Sequence, residues 1–287
     1  MISEQNKGRR FVRVRQRDGR VRGAAVTGDE LSLLDGDDLL ALLTGGALAP
    51  GSERVPIVDP ESLQPADPWT LLAPLVAPET WAAGVTYERS REARMHESDV
   101  SDVYDRVYDA QRPELFFKDA DGRRTVGPGE PIAVRADAAW SVPEPELAVV
   151  LGADGEPLGV TVGNDVSARD IEGANPLYLP QAKVYAGACA LGPALLVPGD
   201  WTAPFEIELR ILDAKGEVAF SGATSTDRMR RTIPELIEFL LRDNPLPAGS
   251  VLLTGTGIVP PDDFTLVPGQ TVEIAIARIG TLRNPVR

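Results

Sequence analysis

Residues 142–170 read VPEPELAVVLGADGEPLGVTVGNDVSARD, and this stretch decides the fold. The runs ELAVVLG and PLGVTVGND favour β-strands, and the Asp154-Gly155 pair between them predicts a hairpin closed by a two-residue turn. Residues at such a turn set the pairing of the two strands, which places Glu144 directly opposite Asp165. Glu146 lies two residues further along and therefore on the same face.

The two faces of this predicted hairpin differ in character. Because opposed Cβ atoms lie about 5 Å apart, three carboxylates on one face repel each other unless they share a cation. All-oxygen ligation suits Mg²⁺, with Mn²⁺ or Ca²⁺ as substitutes, whereas the plainer alternative is an exposed acidic hairpin end. Small residues around the carboxylates predict open room above them. The opposite face carries six apolar side chains suited to a core: Leu147, Val149, Leu151, Leu158, Val160 and Val162.

Composition narrows the class of function. The 287-residue chain has a net charge of −14, which argues against nucleic-acid binding and against adhesion to an anionic membrane. One cysteine, Cys189, rules out an intramolecular disulfide and predicts a cytoplasmic protein. We expect neither a signal peptide nor a membrane span. The single histidine, His96, excludes a multi-histidine metal site, and any Ser-His or Cys-His mechanism must use it.

The start of the chain predicts a small separate unit. Residues 11–26 read as a hairpin with Asp18-Gly19 at its turn, and 37–43 read as a short helix. Five prolines between residues 49 and 68 indicate a connector. We therefore predict an N-terminal α+β domain over 1–75 and a catalytic domain over 76–287.

The remainder of the chain predicts many strands and few helices. Residues 81–87 read as a strand, and the polar run 88–114, with Tyr104 and Tyr108, is either a lid or a surface helix. Residues 232–246 predict an amphipathic helix capped by Thr232. Since strands do not alternate with helices, a mainly β sandwich or roll with helical additions is expected.

The central stretch resembles the metal-binding signature of the fumarylacetoacetate hydrolase superfamily, in EPELAVVLG and GVTVGNDVSARD. Further pieces follow in family order, namely Pro113 to Lys118, Gly127-Pro128, Lys183 before Cys189, and Thr254 to Gly257. The resemblance covers roughly residues 80–287. It implies a mixed β-sandwich roll, a Mg²⁺-type ion, and a homodimer or homotetramer. The implied metal ligands are Glu144, Glu146 and Asp165.

One departure from the family pattern concerns the reaction. Hydrolases of the superfamily carry a histidine in an Asn-Tyr-x-x-His motif, whereas this chain reads Thr86-Tyr87-Glu88-Arg89-Ser90, with Ser90 in the place of the histidine. This variant run, with Glu114 after Pro113, is similar to the branch that dehydrates 2-keto-3-deoxy-D-arabinonate. The resemblance implies a Mg²⁺-dependent lyase that forms 2,5-dioxopentanoate in oxidative pentose degradation.

The chemistry of that reaction assigns roles to residues. A 2-keto acid chelates an ion through carboxylate and keto oxygens, which acidifies C3–H, and loss of the C4 hydroxyl then needs a base and an acid. Glu114 and Lys183 are the candidate catalytic residues, with their division of roles open. For the candidate substrate-binding residues, the alternative is an ordinary structural role, such as that of a surface arginine or a strand threonine. The candidate substrate-binding residues are Tyr87, Arg89, Ser90, Arg91, Lys183 and Thr256.

Two other functions remain open at this point. The chain is alternatively a hydrolase or decarboxylase of the same superfamily, acting on an acylpyruvate or an oxaloacetate-like 2-oxo acid. The third hypothesis is a non-catalytic protein that binds a small anionic 2-oxo acid through the ion.

Overall fold

A computed structural model describes residues 6–46, 49–97 and 106–287. Strands dominate these residues. The strands are β1 Arg10–Gln16, β2 Val21–Thr27, β3 Glu30–Leu34, β4 Pro50–Asp59, β5 Gln64–Pro65, β6 Trp69–Leu72, β7 Glu79–Gly84, β8 Glu114–Ala120, β9 Thr125–Val126, β10 Ser141–Val142, β11 Pro145–Leu151, β12 Pro157–Asp165, β13 Ser167–Ala168, β14 Cys189–Leu196, β15 Glu206–Leu212, β16 Val218–Ser225, β17 Ser250–Leu253, β18 Thr271–Ile276 and β19 Gly280–Pro285. The helices are α1 Leu39–Leu43, α2 Glu88–Glu97, α3 Arg169–Ala174, α4 Leu179–Lys183 and α5 Ile233–Leu241.

Two sheets pack against each other, and the central β11–β12 hairpin belongs to the larger one. The larger one runs β5-β4-β3-β2-β1-β14-β12-β11-β17-β7-β8, and the smaller one runs β16-β15-β18-β19. Leu147 and Val160 on one face of the β11–β12 hairpin pack with Ile207 and Ile274 of the smaller sheet, and Leu236 of α5 joins the same cluster. The predicted fold class, mainly β with helical additions in a mixed sandwich, is confirmed.

The pairing of β11 with β12 agrees with the prediction, although the turn does not. Glu146 pairs with Gly163, and the N–H of Asp165 donates to the carbonyl of Glu144 at 3.0 Å. The loop is one residue longer than a two-residue turn, with only Gly155 at positive φ (+77°). A bulge at Leu158 then shifts the register back by one residue. The two differences cancel, so the carboxylates meet as expected.

The second face of the hairpin is covered, which contradicts the predicted open room. Ala148 and Val150 pack in a second apolar cluster with Leu253 of β17 and with Leu39 of α1. Leu158 also lies in this second cluster, not on the first face, because the bulge turns its side chain over. The hairpin is therefore buried on both faces.

The predicted connector is also wrong, because residues 50–59 form the ten-residue strand β4. Val55 and Ile57 are buried while Pro56 and Val58 between them are exposed, so a period-two pattern outweighs the prolines. β4 pairs with β3, and β1 pairs with β14 at Arg10 and Leu196, which joins these strands to the larger sheet. The domain boundary at residue 75 stays a prediction.

Other local predictions agree with the structure. The β1–β2 hairpin has Gly19 at positive φ, and α1 is capped by Asp38. Thr232 accepts the N–H of Glu235 at the start of α5, although the helix ends at Leu241. The run 88–97 is helical, whereas Tyr104 lies outside the described residues. Among the described helices, none is both long and apolar enough to cross a membrane.

We predict that Gly155→Ala destabilises the fold more than Gly216→Ala does. Both glycines have positive φ at hairpin tips, which costs an alanine about 1 kcal/mol. A Cβ on Gly155 would also lie 2.1 Å from Cδ1 of Leu241, whereas a Cβ on Gly216 meets nothing within 4 Å. Overpacking adds about 1–3 kcal/mol at Gly155 alone. Urea denaturation measures both variants, and equal losses would contradict the packing of this hairpin on α5.

Candidate active site

Three carboxylates meet where β11 begins and β12 ends. Glu144 directly precedes β11, Glu146 is its second residue, and Asp165 is the last residue of β12. One oxygen from each carboxylate lies within 4.8 Å of the others, and the three residues are only 4%, 0% and 1% exposed. The structure thus brings together the three predicted metal ligands, and their role as ligands stays a prediction.

Three basic side chains surround this acid centre, and only one of them was assigned a role from sequence. Lys183 Nζ donates to Glu144 Oε1 at 2.8 Å and to Asp165 Oδ2 at 3.2 Å. Arg169 Nη2 lies 3.2 Å from Glu144 Oε1, and Lys118 Nζ contacts Asp165 Oδ1. All three cations are nearly fully buried. The protein therefore supplies three positive charges for three negative ones.

Like Asp165 Oδ1, which contacts Lys118 Nζ but accepts no hydrogen bond among the described residues, Glu146 has an unsatisfied oxygen. Its Oε2 accepts the N–H of Gly255 at 2.6 Å, whereas its Oε1 is buried without a hydrogen-bond partner among the described residues. Burial, and then the charges of Asp165 and Glu144, raise the pKa of Glu146 well above its usual value. A buried orphan oxygen in an all-carboxylate cluster fits a hard divalent cation.

The glycine that binds Glu146 has no room for a side chain. Gly255 has φ +91°, and a Cβ there would lie 2.0 Å from the hydroxyl oxygen of Thr86. Thr86 in turn donates to the carbonyl of Thr254 at 2.8 Å. The Gly-Thr-Gly run after β17 therefore positions a backbone donor for the acid centre.

A small pocket adjoins the acid centre and gathers half of the predicted site residues. Glu114 and Lys183 lie in its wall together with Ser90 and Thr256. Glu172 also lines it, although sequence reasoning did not assign it a role. The complete wall of the described pocket is Ala83, Gly84, Val85, Ser90, Glu114, Phe116, Glu144, Glu172, Lys183 and Thr256.

Strand pairing and a glycine place Glu114 in this pocket. Glu114 begins β8 and pairs with Gly84 of β7. A Cβ on Gly84 would lie 2.2 Å from Glu114 Oε2, so the carboxylate occupies the space that a side chain would fill. Lys183 Nζ lies 5.5 Å from the centre of the Phe116 ring, and both residues line the pocket.

Three of the predicted substrate-binding residues are not part of the described pocket wall. Arg89 is 59% exposed and pairs with Glu92 on α2, while Arg91 stacks on Tyr108 with its guanidinium carbon 4.7 Å from the ring centre. Tyr87 is buried, and desolvation followed by the charge of Glu146 raises its hydroxyl pKa. The helix α2 thus directs Ser90 inward and Arg89 outward, and a binding role for these residues stays a prediction.

The mainly β sandwich, the buried carboxylate trio and the adjoining pocket define a candidate divalent-cation enzyme for a small substrate. The chain belongs to the fumarylacetoacetate hydrolase family, since the family described as fumarylacetoacetate (FAA) hydrolase C-terminal matches residues 80–287. The resemblance stated from the sequence is thereby confirmed.

Several relatives of this chain are named dehydratases. The chain is 49% identical to 2-dehydro-3-deoxy-D-arabinonate dehydratase of Saccharolobus solfataricus over 220 residues, 75% of this chain and 73% of that protein. It is 52% identical over 214 residues to the probable 2-keto-3-deoxyxylonate dehydratase of Haloferax volcanii, 74% of this chain and 73% of that one. A solved 2-keto-3-deoxy-D-arabinonate dehydratase complexed with magnesium and 2,5-dioxopentanoate superposes with a TM-score of 0.84 at 40% identity, covering 97% of this chain and 98% of that one.

We predict that Glu146→Gln lowers Mg²⁺ affinity by at least about tenfold and leaves the fold intact, because the amide keeps the Gly255 contact but removes a charged ligand.

We also predict that the Mg²⁺ affinity of the wild type rises with pH. The raised pKa keeps the Glu146 carboxyl protonated at lower pH, and a protonated carboxyl does not ligate. Isothermal titration at several pH values tests both, with the exposed Glu208→Gln as control. Unchanged affinity in Glu146→Gln would exclude this carboxylate as a ligand.

Proposed function

We propose that this chain is a Mg²⁺-dependent hydro-lyase that converts 2-keto-3-deoxy-D-arabinonate to 2,5-dioxopentanoate in oxidative pentose degradation. The observation that carries the proposal is the buried carboxylate trio, which adjoins a pocket lined by Glu114, Lys183 and Ser90. The two dehydratase-named relatives, and the related structure with magnesium and 2,5-dioxopentanoate, support the substrate.

The ion and Lys183 would share the task of stabilising negative charge. A divalent ion held by Glu144, Glu146 and Asp165 would supply Lewis-acid polarisation of the C2 carbonyl and so acidify C3–H. Lys183 Nζ is fixed by two carboxylates at 2.8 and 3.2 Å, which favours an electrostatic role over proton transfer. Its charge at the pocket wall suits the substrate carboxylate and the enolate formed after C3 loses its proton.

Glu114 is then the group that moves protons. Its carboxylate enters the pocket over Gly84, and it has no part in the metal-ligand trio. A pocket position gives it access to a small substrate, as general acid–base catalysis requires. We assign proton transfer during elimination to Glu114 for this reason.

The identity of residue 90 favours dehydration over hydrolysis. Ser90 is 5% exposed and lines the pocket, at the position where the family's hydrolases are expected to carry a histidine base. A serine hydroxyl has no comparable basicity at neutral pH, although it donates or accepts a hydrogen bond. Among the described wall residues there is no histidine to activate a water molecule. Ser90 therefore suits recognition of a substrate oxygen.

The remaining expectations concern location and assembly. We propose a cytoplasmic homodimer or homotetramer whose partner is a small anionic 2-oxo acid. The net charge of −14 leaves nucleic acid and anionic membranes as unfavourable partners. The three buried basic side chains, together with a bound ion, would offset that negative field locally.

We expect purified protein with Mg²⁺ to remove one water from 2-keto-3-deoxy-D-arabinonate, and mass spectrometry of the product should show 2,5-dioxopentanoate. Activity should vanish on chelation and return when Mg²⁺ or Mn²⁺ is added. A panel of acylpyruvates and oxaloacetate serves as the comparison. Turnover of that panel with unchanged sugar acid would contradict the dehydratase, and metal-dependent stabilisation without any turnover would indicate a binder.

A further inference from the structure

Glu172 is a buried carboxylate in the pocket wall that the mechanism above does not use. It is 3% exposed, and its Oε2 accepts the hydroxyl proton of Ser167 at 2.8 Å. Glutamate is rarely buried to this extent unless it has a structural partner or a function. Glu172 shares the pocket wall with Glu114 and Lys183, which favours a role in the reaction.

Two other buried carboxylates outside the acid centre are explained by structure alone. Asp119 accepts the N–H groups of Arg124 and Thr125, so it closes the turn between β8 and β9. Glu273 pairs with Arg283 at 2.7 Å on the smaller sheet. Neither lines the pocket, and Glu172 differs from both in this respect.

The local chain geometry brings Glu172 to the acid centre. β12 ends at Asp165, and after β13 the short helix α3 begins at Arg169. Residues three apart share a face of a helix, so Arg169 and Glu172 project to the same side. Arg169 contacts Glu144 at 3.2 Å, and Ser167 holds the carboxylate of Glu172 in place. One segment therefore supplies the metal-ligand candidate Asp165, the counter-charge of Glu144 and a pocket carboxylate.

The proposed reaction needs more proton transfers than one carboxylate performs at once. The C3–H bond breaks and its proton goes to a base, while the C4–O bond breaks and the departing hydroxyl takes a proton to leave as water. The resulting C3=C4 double bond then isomerises: a proton leaves carbon C5 and one is added at C3, while the C5 hydroxyl proton is lost and one is added at C4. C5 becomes the aldehyde carbon, and no external oxidant or reductant is required.

We propose that Glu172 is a second catalytic carboxylate of this pocket and divides these proton transfers with Glu114, one removing the C3 proton and the other protonating the departing C4 hydroxyl. The inference rests on the proposed dehydratase function. Two carboxylates in one pocket allow a base and an acid to act on neighbouring carbons of a single small substrate. Lys183, fixed between Glu144 and Asp165, then keeps its electrostatic role.

The test compares Glu172→Gln with Glu114→Gln, each isosteric and unable to transfer a proton. We expect Glu172→Gln to lower kcat by about 10²–10⁴-fold, with KM within about threefold of wild type and with unchanged Mg²⁺ affinity. In D₂O, proton NMR follows the exchange of the substrate's C3 protons for deuterium. One variant should catalyse this exchange, whereas the other should leave it at the uncatalysed rate. The matched control is Asp170→Asn on the same helix, because its amide oxygen still accepts the N–H of Ala139.

Several results would overturn the proposal. A kcat for Glu172→Gln within about threefold of wild type, or a raised KM with unchanged kcat, would assign Glu172 no proton transfer. Loss of C3 exchange in both variants would contradict a division between the two carboxylates. Absence of sugar-acid turnover by the wild type, measured alongside, would contradict the dehydratase function itself, and the division of proton transfers would fall with it.

Discussion

The structure depends on the placement of the Lys183 ammonium between two buried carboxylates, 2.8 Å from Glu144 Oε1 and 3.2 Å from Asp165 Oδ2. Three carboxylates at one point inside a protein repel each other and pay a large desolvation penalty unless cations accompany them. Lys118 and Arg169 complete the compensation. With three basic side chains facing the three carboxylates, much of the carboxylate charge is compensated before an ion binds. A divalent ion held there would add positive charge, which would favour binding of an anionic 2-oxo acid.

The fold keeps this arrangement buried. Both faces of the β11–β12 hairpin are covered, one by the smaller sheet with α5 and the other by α1 and neighbouring strands. Several separate elements contribute the cations, namely β8 for Lys118, α3 for Arg169 and α4 for Lys183. Removing any one of these cations would therefore leave a buried carboxylate without its counter-charge, which destabilises a fold far more than the loss of a surface ion pair.

Much of the acid centre follows from local sequence, whereas its surroundings do not. The pairing of β11 with β12 placed Glu144 opposite Asp165, with Glu146 on the same face, and it holds because the bulge cancels the longer turn. The covered second face was missed because alternation alone does not show which distant strands pack on it. The strand β4 was missed because prolines were given more weight than the alternation of Val55 and Ile57.

Long-range contacts explain the residues whose roles were not recognised. Lys118 and Arg169 reach the acid centre from elements far apart in the chain, and nothing in their local patterns shows that their ends converge. A lysine in β8 directly after the apolar run Leu115 to Phe117 was the available signal for Lys118. Conversely, Arg89 and Arg91 stood in a run that resembled a family motif, yet the helical period of α2 turns Arg89 toward solvent.

Positive charge at the acid centre, and therefore affinity for a 2-oxo acid, should depend on the bound ion. Isothermal titration with 2-oxopentanoate, which keeps the carboxylate and the keto group but has no hydroxyl to eliminate, tests it directly. We expect binding in the presence of Mg²⁺ and none after chelation. Equal affinity with and without the ion would show that Lys183 and its neighbours suffice, and would contradict the role given to the metal.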